Sequence, residues 1–510
     1  MRASGNSRSS IVAIGFLFLS LLALISQSVV AAEIPDRPEK LTFPPLAYEP
    51  PDPAQFRVQL KAGPVAYVLP DRELPLASVV IYVRTGQYVE TPDKIGLSDL
   101  AGRLLVRGGT ASLTAEALEE KLDFLAARMN SGVGETQGTI SLNLLSKDLP
   151  EGLALLREVL TAPRFQEDKL GLYKEQTLQA LKQRNDDSSD IEAREFDWLA
   201  YGPSFWSARQ PTAATIGAVT REDLVAFHKR WIHPANFVIA ASGDFDRQAL
   251  IDQLEKLFAD WPFKGDIAPS IPTNITLAAP GVYLADKSVN QGRVNLLLPG
   301  VRRDDPDYFA IQVMNNILGG GGFTSRIVNR VRSDEGLAYS AGSSFQGGVY
   351  YPQVFRASFQ SKSRTVAYAA SIILEEMKRI SDNMVTDEEL NISKRSFIDP
   401  FPRAFATKAQ AAGRFADDEF TGRYARDPHY WRDYRKRIDQ VTREDVLRVA
   451  KKWLKPDQLV ILAVGEREEI LKGHPDHPVK LAELAGGKVI ELPTRDPLTM
   501  EPVAAAPASK

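Results

Sequence analysis

Thr220-Arg-Glu-Asp-Leu-Val-Ala-Phe-His-Lys-Arg-Trp231-Ile-His-Pro234 returns further along the chain as Thr442-Arg-Glu-Asp-Val-Leu-Arg-Val-Ala-Lys-Lys-Trp453-Leu-Lys-Pro456. The match continues without a gap through Phe237-Val-Ile-Ala-Ala-Ser-Gly243 and Leu459-Val-Ile-Leu-Ala-Val-Gly465, an offset of 222 (442 against 220). Each copy carries Thr as a helix N-cap with Asp three positions on, in the manner of a capping box. A helix ended by Pro follows, and then a strand of β-branched residues. Upstream, Val79-Val-Ile-Tyr-Val-Arg-Thr-Gly86 before Pro92 pairs with Val294-Asn-Leu-Leu-Leu-Pro-Gly300 before Pro306, an offset of 214 (300 against 86). Two matches in the same order imply duplication.

Each half reads strand, long helices, more strands, helix, strand, which is an α+β unit with mostly antiparallel pairing. The expected divisions are a half at 33–258, a linker at 259–278 marked by Pro262, Pro269, Ser270 and Pro272, and a second half at 279–490. Residues 491–510, ending in Pro502-Val-Ala-Ala-Ala-Pro-Ala-Ser-Lys510, are expected to be a disordered tail with nothing to bury.

Composition narrows the function. The chain has 510 residues, 44% hydrophobic and 25% charged, as in an ordinary globular protein. Its 62 Lys+Arg against 65 Asp+Glu give a net charge of −3, with no basic excess to draw nucleic acid. With no Cys, disulfides, thiolate zinc sites, Fe–S clusters and thiol nucleophiles are excluded. The five histidines are His228, His233, His429, His474 and His477, so none precedes position 228.

The N-terminus reads as an address. Arg2 and Arg8 precede the apolar run Ile11–Ile25, and Val30-Ala31-Ala32 supplies small residues for cleavage after Ala32. Residues 1–32 are therefore expected to be a signal peptide, and the mature chain to be exported, soluble and periplasmic. The alternative is an uncleaved membrane anchor.

The segment Leu318-Gly-Gly-Gly-Gly-Phe-Thr-Ser-Arg326, followed by Val331-Arg332-Ser-Asp-Glu-Gly-Leu-Ala-Tyr339, set in two matched halves, resembles the inverzincin peptidases: pitrilysin, insulinase and mitochondrial processing peptidase. The resemblance implies a clamshell of two halves joined by the linker. In that family the first half binds zinc through H-x-x-E-H and a distant Glu. The second half supplies an Arg and a Tyr, here Arg332 and Tyr339, that hold the substrate peptide. The loop at Gly319, Gly320, Gly321 and Gly322 helps to recognise it. The stretch Arg128–Glu135 corresponds to the sheet edge where the family pairs substrate as an added strand.

The chain departs from the family where the chemistry belongs. In Gly96-Leu-Ser-Asp99-Leu-Ala-Gly102-Arg103, Asp99 replaces the first His, Gly102 the catalytic Glu and Arg103 the second His. Glu175 matches the family's supporting acid, and Lys182 falls at the distant ligand position. Zinc needs three or four donors with free lone pairs. Asp99 offers one, Gly102 none, and Arg103 and Lys182 are cations. No Glu stands where a general base must act on water. Either Arg103 or Lys182 fills the vacated metal position with charge, or both point to solvent. Asp99 and Arg103, four apart on a helix, can form an ion pair worth about 0.2–0.5 kcal/mol when exposed.

The remaining motifs have plainer readings. His474-Pro-Asp-His477 reads as a surface loop, since Pro475 spoils a helix and no third ligand is near. His228 and His233 meet Ala450 and Lys455 in the second copy, which favours a structural role. The glycine run follows a helical pattern and lacks the P-loop Lys-Ser/Thr, so it is either a helix C-cap or a substrate loop. Arg332 is alternatively a surface ion pair with Asp334 or Glu335, and Tyr339 a core residue.

The expected function is thus a non-catalytic, substrate-binding subunit of a heteromeric periplasmic zinc peptidase. It holds no cofactor of its own, and the zinc sits in a related catalytic partner whose site Arg332 and Tyr339 complete. The alternatives are an autonomous metallopeptidase with an unusual metal site, or a peptidase-derived scaffold.

Overall fold

The duplicated sequence folds into two six-stranded sheets of the same order. The computed structural model describes residues 36–37, 40–41 and 47–503, and divides into units 1–48 and 49–510. In the first unit, Lys40 Nζ lies 2.6 Å from Asp36 Oδ1. The second unit carries the sheets.

The first sheet comprises β1 (Arg57–Gln59), β2 (Val65–Pro70), β3 (Leu76–Val83), β4 (Arg128–Val133), β5 (Gly138–Leu145) and β6 (Phe237–Gly243), in the order β1-β2-β6-β3-β5-β4. The second comprises β7 (Gly281–Asp286), β8 (Gln291–Val301), β9 (Ala338–Ser344), β10 (Gln353–Lys362), β11 (Val460–Gly465) and β12 (Val489–Leu492), in the order β12-β7-β11-β8-β10-β9. The pairs β2–β6, β7–β11 and β7–β12 are parallel and the other pairs antiparallel. Val79 pairs with Ala241 and Val294 with Ala463. The ladders thus set β3 against β8 at an offset of 215 (294 against 79), one residue from the Gly–Pro spacing in the sequence.

The helices include α1 (Leu97–Arg107), α2 (Leu149–Thr161), α3 (Glu167–Gln183), α4 (Ser188–Tyr201), α5 (Arg221–Trp231) and α6 (Arg247–Phe258), then α7 (Tyr308–Asn315), α8 (Val366–Asp382), α9 (Lys408–Phe420) and α10 (Arg443–Trp453). The repeat fixes α5 and α10: Thr220 with Asp223, and Thr442 with Asp445, close capping boxes. Along β3, Ala77, Val79, Ile81 and Val83 are buried against α1, α2, α5 and α6, while Ser78, Val80 and Tyr82 turn to the other face. Val294 and Leu296 of β8 meet α7, α8 and α10 in the same way.

The other face of each sheet is covered by a helix from the opposite half. Helix α4 sets Ile191, Leu199 and Ala200 against Leu297, Val460, Leu462 and Val464. Helix α9 lies across β2, β3 and β6, with the Phe415 ring 5.8 Å from that of Tyr67. Strands β6 and β11 are therefore buried on both faces. Each aliphatic side chain so covered contributes about 1.5–3 kcal/mol. One carboxylate anchors each exchanged helix. Glu192 accepts from Asn295 Nδ2 at 2.7 Å, Arg356 Nη2 at 3.1 Å and Arg293 Nη1 at 3.3 Å. Glu419 accepts two bonds of 3.0 Å from Arg57 and one of 2.9 Å from the Tyr67 hydroxyl.

Between Phe258 and Gly281 there is no helix or strand. The tail expectation needs correcting for residues 491–503. Glu491 and Leu492 belong to β12, Ala213 N donates to Leu498 O at 2.8 Å, and the Arg495 guanidinium stacks 4.4 Å over Trp198. These anchors are tertiary, so no local pattern announces them. Residues 504–510 and the expected signal at 1–32 lie outside the described residues. Among those described, no helix is long and apolar enough to cross a membrane.

Candidate functional site

Helix α1 starts at Gly96, held by the buried Glu90 carboxylate. Glu90 accepts from Ser98 N at 2.7 Å, Ser98 Oγ at 2.6 Å and Gly96 N at 3.3 Å. Burial pushes this carboxyl up, and the Ser98 bonds hold it back. Leu100, Leu104 and Leu105 fasten the helix to the core, leaving Asp99 and Arg103 outward. Arg103 Nε donates to Asp99 Oδ1 at 2.9 Å, with both side chains exposed. Lys182, at the end of α3, is exposed, as is Glu175.

At Gly102 the backbone of α1 lies directly on β4. A Cβ there would meet Val133 N and lie 2.8 Å from Gly132 C and 3.0 Å from Gly132 Cα. Ser131 of the same strand donates to Gly102 O at 2.6 Å and accepts from Val106 N at 3.2 Å, bridging one turn of the helix. The position that the sequence resemblance assigns to the general base thus has neither a carboxylate nor room for one. Zinc does not fit these residues: one carboxylate is engaged by Arg103, one position is glycine, and two are cations. Among the described residues no group of three or more His, Cys, Asp or Glu is placed to hold a metal.

The glycine run follows α7 through a wide turn, Asn316–Gly320. Gly319 lies on β9, where a Cβ would come 2.6 Å from Ser343 N, and Gly322 has φ +61°. A Cβ on Gly321 would likewise come 2.7 Å from Asn316 O, so close packing and a left-handed residue account for three of the four glycines. Beyond the loop, Arg326 forks onto Glu389 at 2.7 and 3.0 Å, fixing the next segment. A second wide turn, Asn329–Asp334, carries Arg332. Its guanidinium stands 4.6 Å from the Phe323 ring and 4.5 Å from the Tyr339 ring, a cation between two aromatic faces. Tyr339 is 84% exposed and Phe323 64%, so Tyr339 is no core residue. Arg332 makes no ion pair with Asp334 or Glu335 among the described residues.

The structure therefore brings Arg332, Tyr339 and the Gly320, Gly321 and Gly322 end of the glycine loop together at the surface, while Gly319 is buried against β9. No hydrogen bond or ion pair among the described residues links Arg332 or Tyr339 to Asp99, Arg103 or Lys182. Phe323 was not singled out by its sequence; an aromatic residue directly after a glycine run was the available signal. Ser131 gave none, since its role depends on how closely β4 approaches α1. The stretch Arg128–Glu135 does supply an edge, because β4 is the last strand of its sheet.

Three of the five histidines, His228, His233 and His477, are engaged in packing or main-chain contacts. His228 Nε2 lies 2.8 Å from Leu160 O, and burial lowers its pKa to about 4. His233 Nε2 lies 2.9 Å from Asp266 O. The His477 ring stacks on Tyr368 at 3.8 Å. At the seam between the halves, burial beside Glu135 pushes Asp197 up to about 7, partly opposed by Arg356.

Comparison with known proteins places this geometry. Residues 68–198 match the model of insulinase, peptidase family M16, and residues 218–397 that of the peptidase M16 inactive domain. The chain belongs to the M16 peptidase family. Among curated M16 relatives, an uncharacterised zinc protease of Streptomyces coelicolor is 26% identical over 322 residues, covering 62% of this chain and 69% of the relative. A non-peptidase homologue of Helicobacter pylori is 24% identical over 342 residues, covering 64% and 76%. The crystal structure of an M16 inactive domain from Pseudomonas fluorescens superposes with a TM-score of 0.70 at 25% identity, covering 80% of this chain and 97% of that one. The M16 fold is thus retained in a chain whose described residues gather no group of three or more metal-ligating side chains.

Proposed function

We propose that this chain is the non-catalytic, substrate-binding subunit of an exported, periplasmic M16 zinc peptidase. It pairs with a related chain that carries an intact H-x-x-E-H motif. The observation that carries the reading is the state of the α1 turn: Gly102 sits against the main chain of β4, and Asp99 is paired with Arg103. Autonomous hydrolysis has no base and no metal donors to work with. A relative described as a non-peptidase homologue supports the same view.

The partner supplies zinc, its ligands and the base. This chain supplies peptide-holding surface, with the Gly319–Gly322 loop, Arg332 and Tyr339 at its centre. A guanidinium donates to peptide carbonyls, and a phenol stabilises a carbonyl oxygen as it gains charge. Stacking between Phe323 and Tyr339 holds the Arg332 fork in place without consuming its N–H donors.

The test is to reconstitute the chain with an M16 chain bearing the intact motif and follow cleavage of a fluorogenic peptide. Neither this chain alone nor Arg332→Ala in the complex should support full turnover. Arg332→Ala and Tyr339→Phe should each lower kcat by about 10- to 100-fold, the scale of losing one transition-state donor, with zinc content unchanged. Unchanged turnover in both variants, or chelator-sensitive hydrolysis by the pure chain, refutes the reading.

A further inference from the structure

Where the two halves meet the linker, the end of β3, residues 268–273, the loop at Val349–Tyr350 and the turn after α9 enclose a cavity of about 340 Å³. Arg84, Arg302 and Arg426 line it together with Tyr88, Tyr350 and Phe420, and no acidic side chain does. Arg302 has a counter-charge in Asp304, 2.6 Å away. The other two form no ion pair among the described residues, although the charge of Arg84 is felt at the Glu419 carboxylate. Arg84 donates to Phe420 O and stacks 4.8 Å from the Phe420 ring. Arg426, exposed at the mouth, reaches only Thr421 O at 3.4 Å.

A further cation stands close by. The charge of Arg303 is felt at the Tyr350 hydroxyl, and its Nε and Nη2 are buried without a hydrogen-bond partner. Its charged neighbours are Arg423 and Arg426 as well as Asp417 and Asp418. Of these acids, Asp418 is already engaged by Arg423 and by Trp431 Nε1. Asp417 also faces Arg303 and Tyr350. The guanidinium groups of Arg84, Arg302, Arg303, Arg423 and Arg426 thus stand among three carboxylates, Asp304, Asp417 and Asp418. The excess cations are unfavourable unless an anion completes them. Their forked donors match a planar carboxylate.

We propose that this cavity binds the free C-terminal carboxylate of a peptide. The arginines take the carboxylate, and the rings of Tyr88, Tyr350 and Phe420 offer apolar wall to the last side chain. The volume, at the small end of ligand pockets, suits a chain end. The choice of a peptide over another carboxylate rests on the function proposed above; the arginine cluster does not.

The experiment is calorimetric titration of the full chain, without any partner, with tetra-alanine, with its C-terminal amide and with inorganic phosphate, at low and high salt. The free acid should bind, more weakly in salt. The amide should bind at least about tenfold more weakly, the ratio that loss of one charge-assisted contact brings. Arg426→Gln, which removes an exposed side chain bonded only to a carbonyl, should reduce the free acid to the affinity of the amide while leaving the circular dichroism spectrum unchanged. Equal binding of acid and amide, no binding of either, an unaffected Arg426→Gln variant, or binding of phosphate alone each overturns the assignment. Because the titration contains no partner and no zinc, its failure leaves the peptidase-subunit reading intact, and a failure of that reading is seen separately in the turnover assay.

Discussion

Gly102→Ala should destabilise this protein, although alanine is the better helix former. In an unobstructed helix the change is favourable by about 0.8–1.0 kcal/mol. Here the added methyl meets Val133 N and lies 2.8 Å from Gly132 C, both main-chain atoms that no rotamer change can move. Strand β4 must shift, and overpacking of this kind costs about 1–3 kcal/mol. The shift also stretches the Ser131 bridge to Gly102 O and Val106 N, worth about a further 1 kcal/mol. With the propensity gain subtracted, a net loss of about 1–3 kcal/mol is expected. Urea denaturation reads it as a lower midpoint at unchanged slope. Gly102→Glu should lose more, and the triple variant D99H/G102E/R103H should fail to hold zinc. A midpoint that stays put or rises in Gly102→Ala refutes the close approach of α1 to β4. The metal position would then be restorable.

Two of the remaining predictions concern the seam and two the exposed surfaces. Asp197 keeps its proton to about pH 7 in the folded chain, whereas the unfolded chain releases it near the ordinary value of about 3.9. Between those limits the folded state binds more protons, so this group's contribution is present at low pH and is lost as pH rises towards 7, about 2–4 kcal/mol in all. Asp197→Asn should flatten that part of the stability–pH profile, and an unchanged profile would count against a buried carboxyl there. Glu192→Ala leaves Arg293, Asn295 and Arg356 without their shared acceptor and should cost about 2–4 kcal/mol by urea denaturation. Asp99→Ala breaks an exposed i,i+4 pair and should cost less than about 1 kcal/mol; comparable losses in these two variants would contradict their different burial. Phe323→Ala should change stability by no more than about 0.5 kcal/mol yet lower turnover of the reconstituted complex, since Arg332 loses one of its two walls.

The repeat around Thr220 and Thr442 made most of the fold legible, because capping boxes, a terminating Pro and a β-branched run are local signals. It marked β6 and β11 as matching strands, and the absence of His before position 228 already excluded the family's metal motif from the first half. The site was legible at the level of residue identity and no further. That Asp99 and Arg103 form an ion pair follows from their spacing; that Gly102 has no room for a side chain depends on β4, which lies about thirty residues downstream. The burial of β6 and β11 on both faces, and the anchoring of residues 491–503, come from elements that sequence order assigns elsewhere. Phe323 is exposed, so no periodicity marks it.

The exchange of α4 and α9 between the sheets bears on how the chain is made. Tyr67 and its acceptor Glu419 are 352 residues apart. A polypeptide that emerges N-terminus first therefore completes β1–β6 long before α9 exists to cover them. Until then Tyr67 and the outer face of β6 stand open, and α4 projects with no sheet to rest on. Neither half is a finished object on its own, so a nascent or truncated first half presents an adhesive surface for which a holding chaperone, or the second half supplied as a separate polypeptide, is the natural complement.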